Sequence, residues 1–280
     1  MSQAARWAYA RARLMARHGE RPDEAAWRVV EATTDAASYL LALRKTAAAD
    51  WVEDVEADAP RARIEAVLRD QWVRRVRAVA TWPPEAWALA VRWLEALPYL
   101  AMVERALSEP AVPAGWLEDP VAGDVMAADL ERRSDALEAL GWSPLAPAPA
   151  ARGGVSVADS GGLHPSSAPQ LDVLAAWRAE LFVRLPADDA DGRADVERLV
   201  DWVAAHRAAL ARSPEATSVE LRRRLLRGLQ EGFRRGASVD SAAGALFNYL
   251  GVVAFEAQRV RAGLLSRLDL PRVREAQVWV

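Results

Sequence analysis

Apolar side chains recur at steps of three and four along residues 240–280 of this chain. That spacing lines one face of an α-helix, so it predicts a long amphipathic helix at this end of the sequence. The Leu270-Pro271 step predicts the end of this helix, because proline does not support the hydrogen bonding of a continuing helix. The apolar positions are Leu246, Tyr249, Leu250, Val253, Ala257, Val260, Leu264 and Leu268.

The same period runs through most of the remaining chain, and no run of alternating β-branched residues interrupts it. We therefore predict an all-α fold of helical bundles. A kink is expected at Leu97-Pro98. Similar amphipathic segments begin at Ile64, Leu171 and Val219, and either a degraded repeat of helical pairs or chance similarity between amphipathic helices explains them. The predicted helices cover residues 4–18, 23–45, 61–80, 84–107, 125–140, 171–185, 191–211 and 217–235.

The composition changes between residues 141 and 170, where proline, glycine and serine replace the helical pattern. Such a segment buries too little apolar surface to offset the entropy of ordering it, so it predicts a flexible linker or a long loop. Long loops are uncommon inside compact domains. The predicted organisation is therefore an N-terminal bundle over 1–140, a linker over 141–170 and a C-terminal bundle over 171–280.

Charge and cysteine content narrow the class of protein. The 36 basic and 39 acidic residues give a net charge of −3, which offers no electrostatic case for nucleic-acid binding. The chain has no cysteine, so disulfides and thiolate chemistry are excluded. No uninterrupted apolar stretch approaches the ~20 residues of a membrane span, so we expect membrane association only through partners.

Motifs for catalysis or cofactor binding do not emerge from the sequence. The acidic residues before Gly192 do not fit a calcium loop, because the first and last ligand positions would be Ala187 and Arg198. The glycines near 153 and 161 form neither a dinucleotide fingerprint nor a phosphate loop. His18, His164 and His206 share no spacing that suggests a metal site. We predict a non-enzyme with no cofactor and no metal.

Two polar features stand out as candidate functional residues. The densest basic patch comprises Arg222, Arg223, Arg224 and Arg227. A solvated helix face is the simpler interpretation; a docking surface for acidic groups is the other, because guanidinium binds carboxylates in a bidentate manner.

The second feature is Glu256, at the edge of the apolar stripe and seven positions after Tyr249. A buried carboxylate needs a cation, and Arg259 or Arg13 could supply it. The alternative is an exposed pair between Glu256 and Arg259, which is worth only ~0.2–0.5 kcal/mol.

Both ends of the chain resemble the family of C/d subunits found in V/A-type (vacuolar/archaeal-type) ATPases. The resemblance is carried by residues 7–15, WAYARARLM, and by the C-terminal helix with its tyrosine-leucine start, Phe255-Glu256, arginine-rich exit and Leu270-Pro271-Arg272. Ser38-Tyr39-Leu40-Leu41 and Ile64-Glu65 occupy similar places in the first hundred residues. The middle of the chain does not match, so the chain resembles a divergent and shortened member.

The resemblance implies a non-catalytic rotor subunit on the cytoplasmic face of the membrane. In that family, pseudo-threefold helical bundles link the central stalk to the proteolipid ring and transmit torque for ion translocation. The implied partners are therefore ring and stalk subunits, with no nucleic acid. Candidate partner contacts are the basic patch together with Arg272 and Arg274, and the candidate internal polar residues are Glu256, Arg259 and Arg13. The competing hypothesis is a cytoplasmic helical scaffold or adaptor unrelated to rotary ATPases.

Overall fold

The computed structural model describes residues 1–109, 111–129, 132–146, 172–212, 215–238 and 242–277. Within these ranges the regular structure is entirely helical, which confirms the predicted all-α class. Short 3₁₀ segments cover Ala49–Val52, Leu94–Tyr99 and Ser143–Leu145. The α-helices are α1 Gln3–Gly19, α2 Glu24–Glu31, α3 Ala36–Leu43, α4 Arg61–Ala80, α5 Glu85–Trp93, α6 Leu100–Ser108, α7 Ala114–Leu117, α8 Gly123–Ala127, α9 Arg133–Ala139, α10 Val173–Arg184, α11 Ala190–Ala211, α12 Glu215–Ser238 and α13 Ala242–Gln277.

The predicted single helix over residues 23–45 is two helices. Asp23 caps α2, its carboxylate accepting a hydrogen bond of 2.8 Å from the Ala26 amide. Asp35 then begins α3 in the same way, accepting from the Ser38 amide at 2.8 Å. An aspartate in extended backbone geometry satisfies an amide that the helix itself leaves unpaired, so each one starts a new helix.

Proline acts differently at two places in the fold. Around Pro98 the helical path becomes the 3₁₀ segment Leu94–Tyr99 between α5 and α6, which agrees with the predicted kink. At Pro271 the prediction was wrong, because α13 continues to Gln277. A proline removes one backbone donor from a helix, and α13 extends through that loss instead of ending there.

The chain divides into two compact units. Unit 1 combines Met1–Glu95 with Arg184–Val280, and unit 2 comprises Ala96–Val183. This division differs from the predicted one, in which residues 1–140 and 171–280 form separate bundles. The reason is long-range packing: α13 lies against α1, α3 and α4 as well as α11 and α12, so both ends of the chain share one core.

Each unit buries its own apolar core. In unit 1 the fully buried side chains include Tyr39, Trp51, Ile64, Trp87 and Phe233. In unit 2 they include Tyr99, Met126, Leu137, Leu145 and Leu181. Large aromatic side chains are among the fully buried residues of both units, and such side chains bury more area per residue than aliphatic ones.

The predicted linker begins with ordered structure. Gly141 adopts a positive φ of 71° and ends α9, where the Trp142 amide donates to the Leu137 carbonyl at 2.8 Å. This left-handed turn is the common helix ending that favours glycine. Trp142 and Leu145 are then buried in unit 2. The rest of the predicted linker, residues 147–170, lies outside the described residues.

One helical stretch within the described ranges, Glu85–Ser108, is long and apolar enough to meet a length-and-composition criterion for crossing a membrane. However, 56% of its apolar window is buried inside the protein. Mostly buried core helices meet the same criterion, so this is weak evidence for a span.

A close helix contact in unit 1 gives a first test of the fold. A Cβ at Gly263 of α13 would overlap the ring and hydroxyl of Tyr39, which is fully buried. We expect Gly263→Ala to lower the free energy of unfolding by about 1–3 kcal/mol, measured by chemical denaturation, because overpacking forces neighbours to shift. Gly19→Ala is the matched control, since its Cβ would meet open space. Equal stability of the two variants would contradict the Gly263–Tyr39 packing.

Candidate functional site

The candidate site centres on the carboxylate of Glu256, which is buried inside unit 1 with only 5% of the residue exposed. One oxygen accepts a hydrogen bond of 2.7 Å from the indole Nε1 of Trp51. The other accepts from Nε of Arg21 at 3.0 Å. Nη2 of Arg21 also lies 3.0 Å from the same oxygen and donates to the Val252 carbonyl at 3.4 Å. Both carboxylate oxygens are therefore occupied, and the charge is neutralised.

Three parts of the sequence meet at this carboxylate. Arg21 lies in the turn between α1 and α2, Trp51 in the 3₁₀ segment Ala49–Val52, and Glu256 in the middle of α13. Hydrogen bonds to a charged group are about twice as strong as those between neutral groups. Each of these bonds joins α13 to a segment more than 200 residues earlier in the chain. The site thus fixes the register of α13 against the N-terminal helices.

A second guanidinium lies on the far side of Trp51. Arg75 of α4 packs 4.2 Å from the centre of the Trp51 ring, a favourable cation–π geometry. Its Nη2 lies 3.7 Å from the carboxylate of Asp50, and its Nε and Nη2 are buried without a hydrogen-bond partner among the described residues. Burial lowers the pKa of Arg75, and the negative charge of Glu256 opposes that shift. The Trp51 indole is thus held between a cation on its face and a carboxylate at its edge.

Arg259 does not pair with Glu256, contrary to one of the two predicted pairings. It binds Glu31 at 2.5 Å and Glu24 at 2.8 Å, and it packs 4.6 Å from the centre of the Trp27 ring. The hydrogen bond from Arg259 is the main reason that the pKa of Glu24 is lowered. Burial lowers the pKa of Arg259, but the hydrogen bonds to Glu31 and Glu24 outweigh it and raise that pKa overall. Arg259 and Glu256 do not meet because their side chains leave α13 in different directions: Arg259 faces α2, while Glu256 points into the core.

Arg13 does not pair with Glu256 either. Its guanidinium packs 5.4 Å from the centre of the Trp82 ring. The cation at Glu256 is Arg21 instead, a residue that the sequence pattern did not single out. Arg21 follows α1 and precedes Pro22, so helix periodicity gives no position for its side chain. The only available signal was that an arginine directly after a predicted helix end can fold back onto a neighbouring helix.

Further arginines of α13 extend the same arrangement along the helix. Arg261 makes two hydrogen bonds of 2.8 Å to Glu65 of α4. Arg267 donates to the Thr33 carbonyl at 2.7 Å and packs 4.4 Å from the centre of the Tyr39 ring. Burial raises the pKa of Tyr39 to about 12. We call Arg259, Arg261 and Arg267 the α13 arginine clamp, because they tie α13 to α2, α4 and the α2–α3 turn.

The predicted partner-contact arginines lie elsewhere. Arg223, Arg224 and Arg227 are exposed on α12. Arg222 is also on α12, and Arg272 and Arg274 are on α13, but the side chains of these three are outside the part of the chain that the structure describes. A role in binding a partner stays a prediction for all six arginines.

Among the described residues, no three His, Asp or Glu side chains are grouped so that they could hold a metal ion. The cluster around Glu256 contains one carboxylate whose oxygens already accept bonds from Arg21 and Trp51. Its evident chemistry is charge neutralisation inside a helical core. We therefore interpret this site as a polar centre that positions helices.

Comparisons of this chain with protein-family models, with curated proteins and with solved structures find no match.

Breaking the buried pair tests its structural role. Glu256→Ala leaves Arg21 buried without its anion, and we expect a loss of about 3–5 kcal/mol in the free energy of unfolding. Glu256→Gln should cost less, since an amide oxygen can still accept from Trp51. The control is Glu20→Ala, which removes the exposed Arg17–Glu20 pair and should cost under about 1 kcal/mol. A cost below that control value for Glu256→Ala would contradict the assignment.

Protonation of His18 gives a pH-dependent test of the contact between His18 and Phe233. His18 stacks on Phe233 with ring centroids 4.4 Å apart. Burial, then the charges of Arg21 and Arg234, lowers its pKa below the ordinary 6.5. The unfolded chain therefore binds the proton more readily, and stability should fall as pH drops below about 6.5. Denaturation midpoints of wild type and His18→Gln between pH 7.5 and 5 would check this, and an equal acid-side slope in both would refute it.

Proposed function

We propose that this protein is a non-catalytic central-rotor subunit of a V/A-type rotary ATPase. In this proposal it links the central stalk to the proteolipid ring and transmits torque for ion translocation. It sits on the cytoplasmic face of the membrane and reaches the membrane only through its partners. The pseudo-threefold arrangement of helical bundles that the resemblance implies belongs to the same proposal.

The packing of α1 against α13 supports this proposal. The two segments that resemble the family lie on α1 and α13, and these helices pack against each other in unit 1. Trp7 of the N-terminal segment contacts Trp87, with ring centroids 5.8 Å apart. Trp87 in turn lies 6.2 Å from Phe247 of α13. The resembling segments thus form one continuous packed structure, which supports reading them as a shared feature.

The internal construction of unit 1 suits a mechanical role. Close-packed interiors deform little, so a helical body of this kind can pass a force from one surface to another. The α13 arginine clamp and the Glu256–Arg21 pair resist sliding of α13 past its neighbours, because sliding would separate charged partners. Such a role needs two binding surfaces and no reacting side chain.

The competing proposal is a cytoplasmic scaffold or adaptor unrelated to rotary ATPases. It accounts equally well for an all-helical body with internal charge pairs. It leaves the resemblance at both ends of the chain, and the packing of those ends on each other, without a common explanation. We therefore favour the rotor subunit.

Purification from the native host tests the proposal directly. A tagged copy recovered from detergent-solubilised membranes should retain a proteolipid ring subunit together with nucleotide-binding and stalk subunits, identified by mass spectrometry. Recovery of soluble proteins alone would refute the rotor role and favour a scaffold.

The basic patch can be tested in the same preparation. The triple variant Arg222→Ser, Arg223→Ser, Arg224→Ser should retain less of the ring and stalk subunits, because it removes three cations from the predicted contact. The matched control replaces three exposed arginines on other helices, Arg28, Arg61 and Arg63, with serine. Undiminished recovery with the first variant would remove these arginines from the interface.

A further inference from the structure

The side of α1 that faces solvent carries an uncharged, largely apolar row, although the helix is rich in arginine. Half of Met15 is exposed, and Tyr9, beside the row, is 44% exposed. The row extends about 21 Å along the helix axis. Its members are exposed and follow one another at alternating steps of three and four residues: Ala5, Ala8, Ala12, Met15 and Gly19. We call these residues, together with Tyr9, the α1 outer face.

The opposite side of α1 is anchored in the core of unit 1. Ala10 and Leu14 are buried there. Trp7 packs against Trp87, with ring centroids 5.8 Å apart, and His18 stacks on Phe233 at 4.4 Å. These contacts run from the first turn of the helix to the last. They hold α1 in the rotation that leaves its outer face in solvent.

Two arginines border the outer face, one on each side. At 100° per residue, Arg11 and Arg13 lie about 80° and 120° from the centre of the row, in opposite directions. Neither makes a hydrogen bond or an ion pair with another described residue. Arg13 packs 5.4 Å from the centre of the Trp82 ring, which covers the face of the guanidinium and leaves its N–H donors free.

Positive charge beside the outer face is only partly neutralised. The helix contains four arginines and no aspartate or glutamate. Glu20, directly after the helix, pairs with Arg17 at 3.3 Å. Arg6 donates to the Thr81 carbonyl at 3.5 Å. Within the described structure, Arg6 and the two bordering arginines therefore have no carboxylate partner.

We propose that the α1 outer face binds an acidic amphipathic helix of a partner protein. Alternating steps of three and four are the spacing with which one helix packs along another. The small side chains of Ala5, Ala8 and Ala12 allow close approach, so larger aliphatic side chains of the partner can fill the space between them. Carboxylates on the flanks of the partner helix can then pair with Arg11 and Arg13 through bidentate hydrogen bonds.

Charge and side-chain size favour this occupant over two others. A second copy of α1 would bring two sets of unpaired arginines together, and like charges across an interface repel. Helices that lie on bilayers insert large apolar side chains. On this face of the helix only Tyr9 and Met15 are large, while the remaining positions are alanine or glycine. The proposed function does not use the outer face, so the inference does not rest on it.

The test measures binding of a labelled helical peptide to the full-length protein by fluorescence anisotropy. The peptide has three heptads with leucine at a and d and glutamate at e and g, and a hydrocarbon staple on its far side keeps it helical. Glutamate at e and g disfavours pairing of the peptide with itself. A counterpart peptide carries lysine at e and g. We expect the glutamate peptide to bind at least tenfold more tightly, and its binding to weaken as salt rises from 50 to 300 mM.

A carboxylate placed in the middle of the outer face should block the peptide. We expect Ala12→Glu to weaken binding of the glutamate peptide at least tenfold, because the new charge loses water and repels the peptide's glutamates. The matched control is Ala25→Glu, the same change at an exposed position of α2, which should bind as wild type does. Matching thermal melts of both variants and wild type establish that folding is intact.

The bordering arginines are tested separately. The double variant Arg11→Ser, Arg13→Ser should bind the glutamate peptide at least threefold more weakly and should lose most of the salt dependence, since each exposed ion pair contributes modestly. The control Arg61→Ser, Arg63→Ser removes the same charge from exposed positions of α4 and should leave binding unchanged.

The inference would be overturned by no measurable binding of the glutamate peptide, by equal binding of the two peptides, or by undiminished binding to Ala12→Glu. Without peptide binding, dimerisation that Ala12→Glu abolishes would assign the face to a second copy, and binding to phosphatidylserine vesicles would assign it to a lipid surface. Either result would also overturn the inference. Peptide binding without recovery of rotary-ATPase subunits from membranes would keep the α1 site and refute only the rotor role.

Discussion

A carboxylate held away from water at the centre of unit 1 constrains the structure around it. Glu256 needs both a cation and a second donor, and it finds them in Arg21 and Trp51, which lie 235 and 205 residues earlier in the chain. An uncompensated charge at this depth would cost several kcal/mol. The pairing therefore favours the register of α13 that brings Glu256 to Arg21 and Trp51.

Two residues of the α13 arginine clamp contact their neighbours in the same way. Arg259 and Arg267 each bind oxygen atoms at the edge of the guanidinium while an aromatic ring, Trp27 or Tyr39, covers its face. The planar guanidinium can satisfy both contacts at once, whereas a lysine ammonium offers only a point charge. Such pairs add modestly to stability, but together they specify how α13 lies against the helices from the first half of unit 1.

The arginines of α12 and α13 lie in different surroundings. On α13 the described arginines Arg259, Arg261 and Arg267 bind carboxylates and carbonyls of the same unit. On α12 the described arginines Arg223, Arg224 and Arg234 are exposed, while Leu225, Leu229 and Phe233 of the same helix are buried.

The hydrophobic period by itself determined that the chain is helical, where most helices lie and that Glu256 borders an apolar stripe, because these properties depend on neighbouring residues. It missed the break before α3, and the separate prediction that Pro271 ends the last helix was wrong. Only the tertiary structure decided that Arg21, and neither Arg259 nor Arg13, neutralises Glu256. It also decided that residues 1–95 share a unit with 184–280. Such pairings depend on how distant helices pack and rotate, and a local periodic pattern contains no information about either.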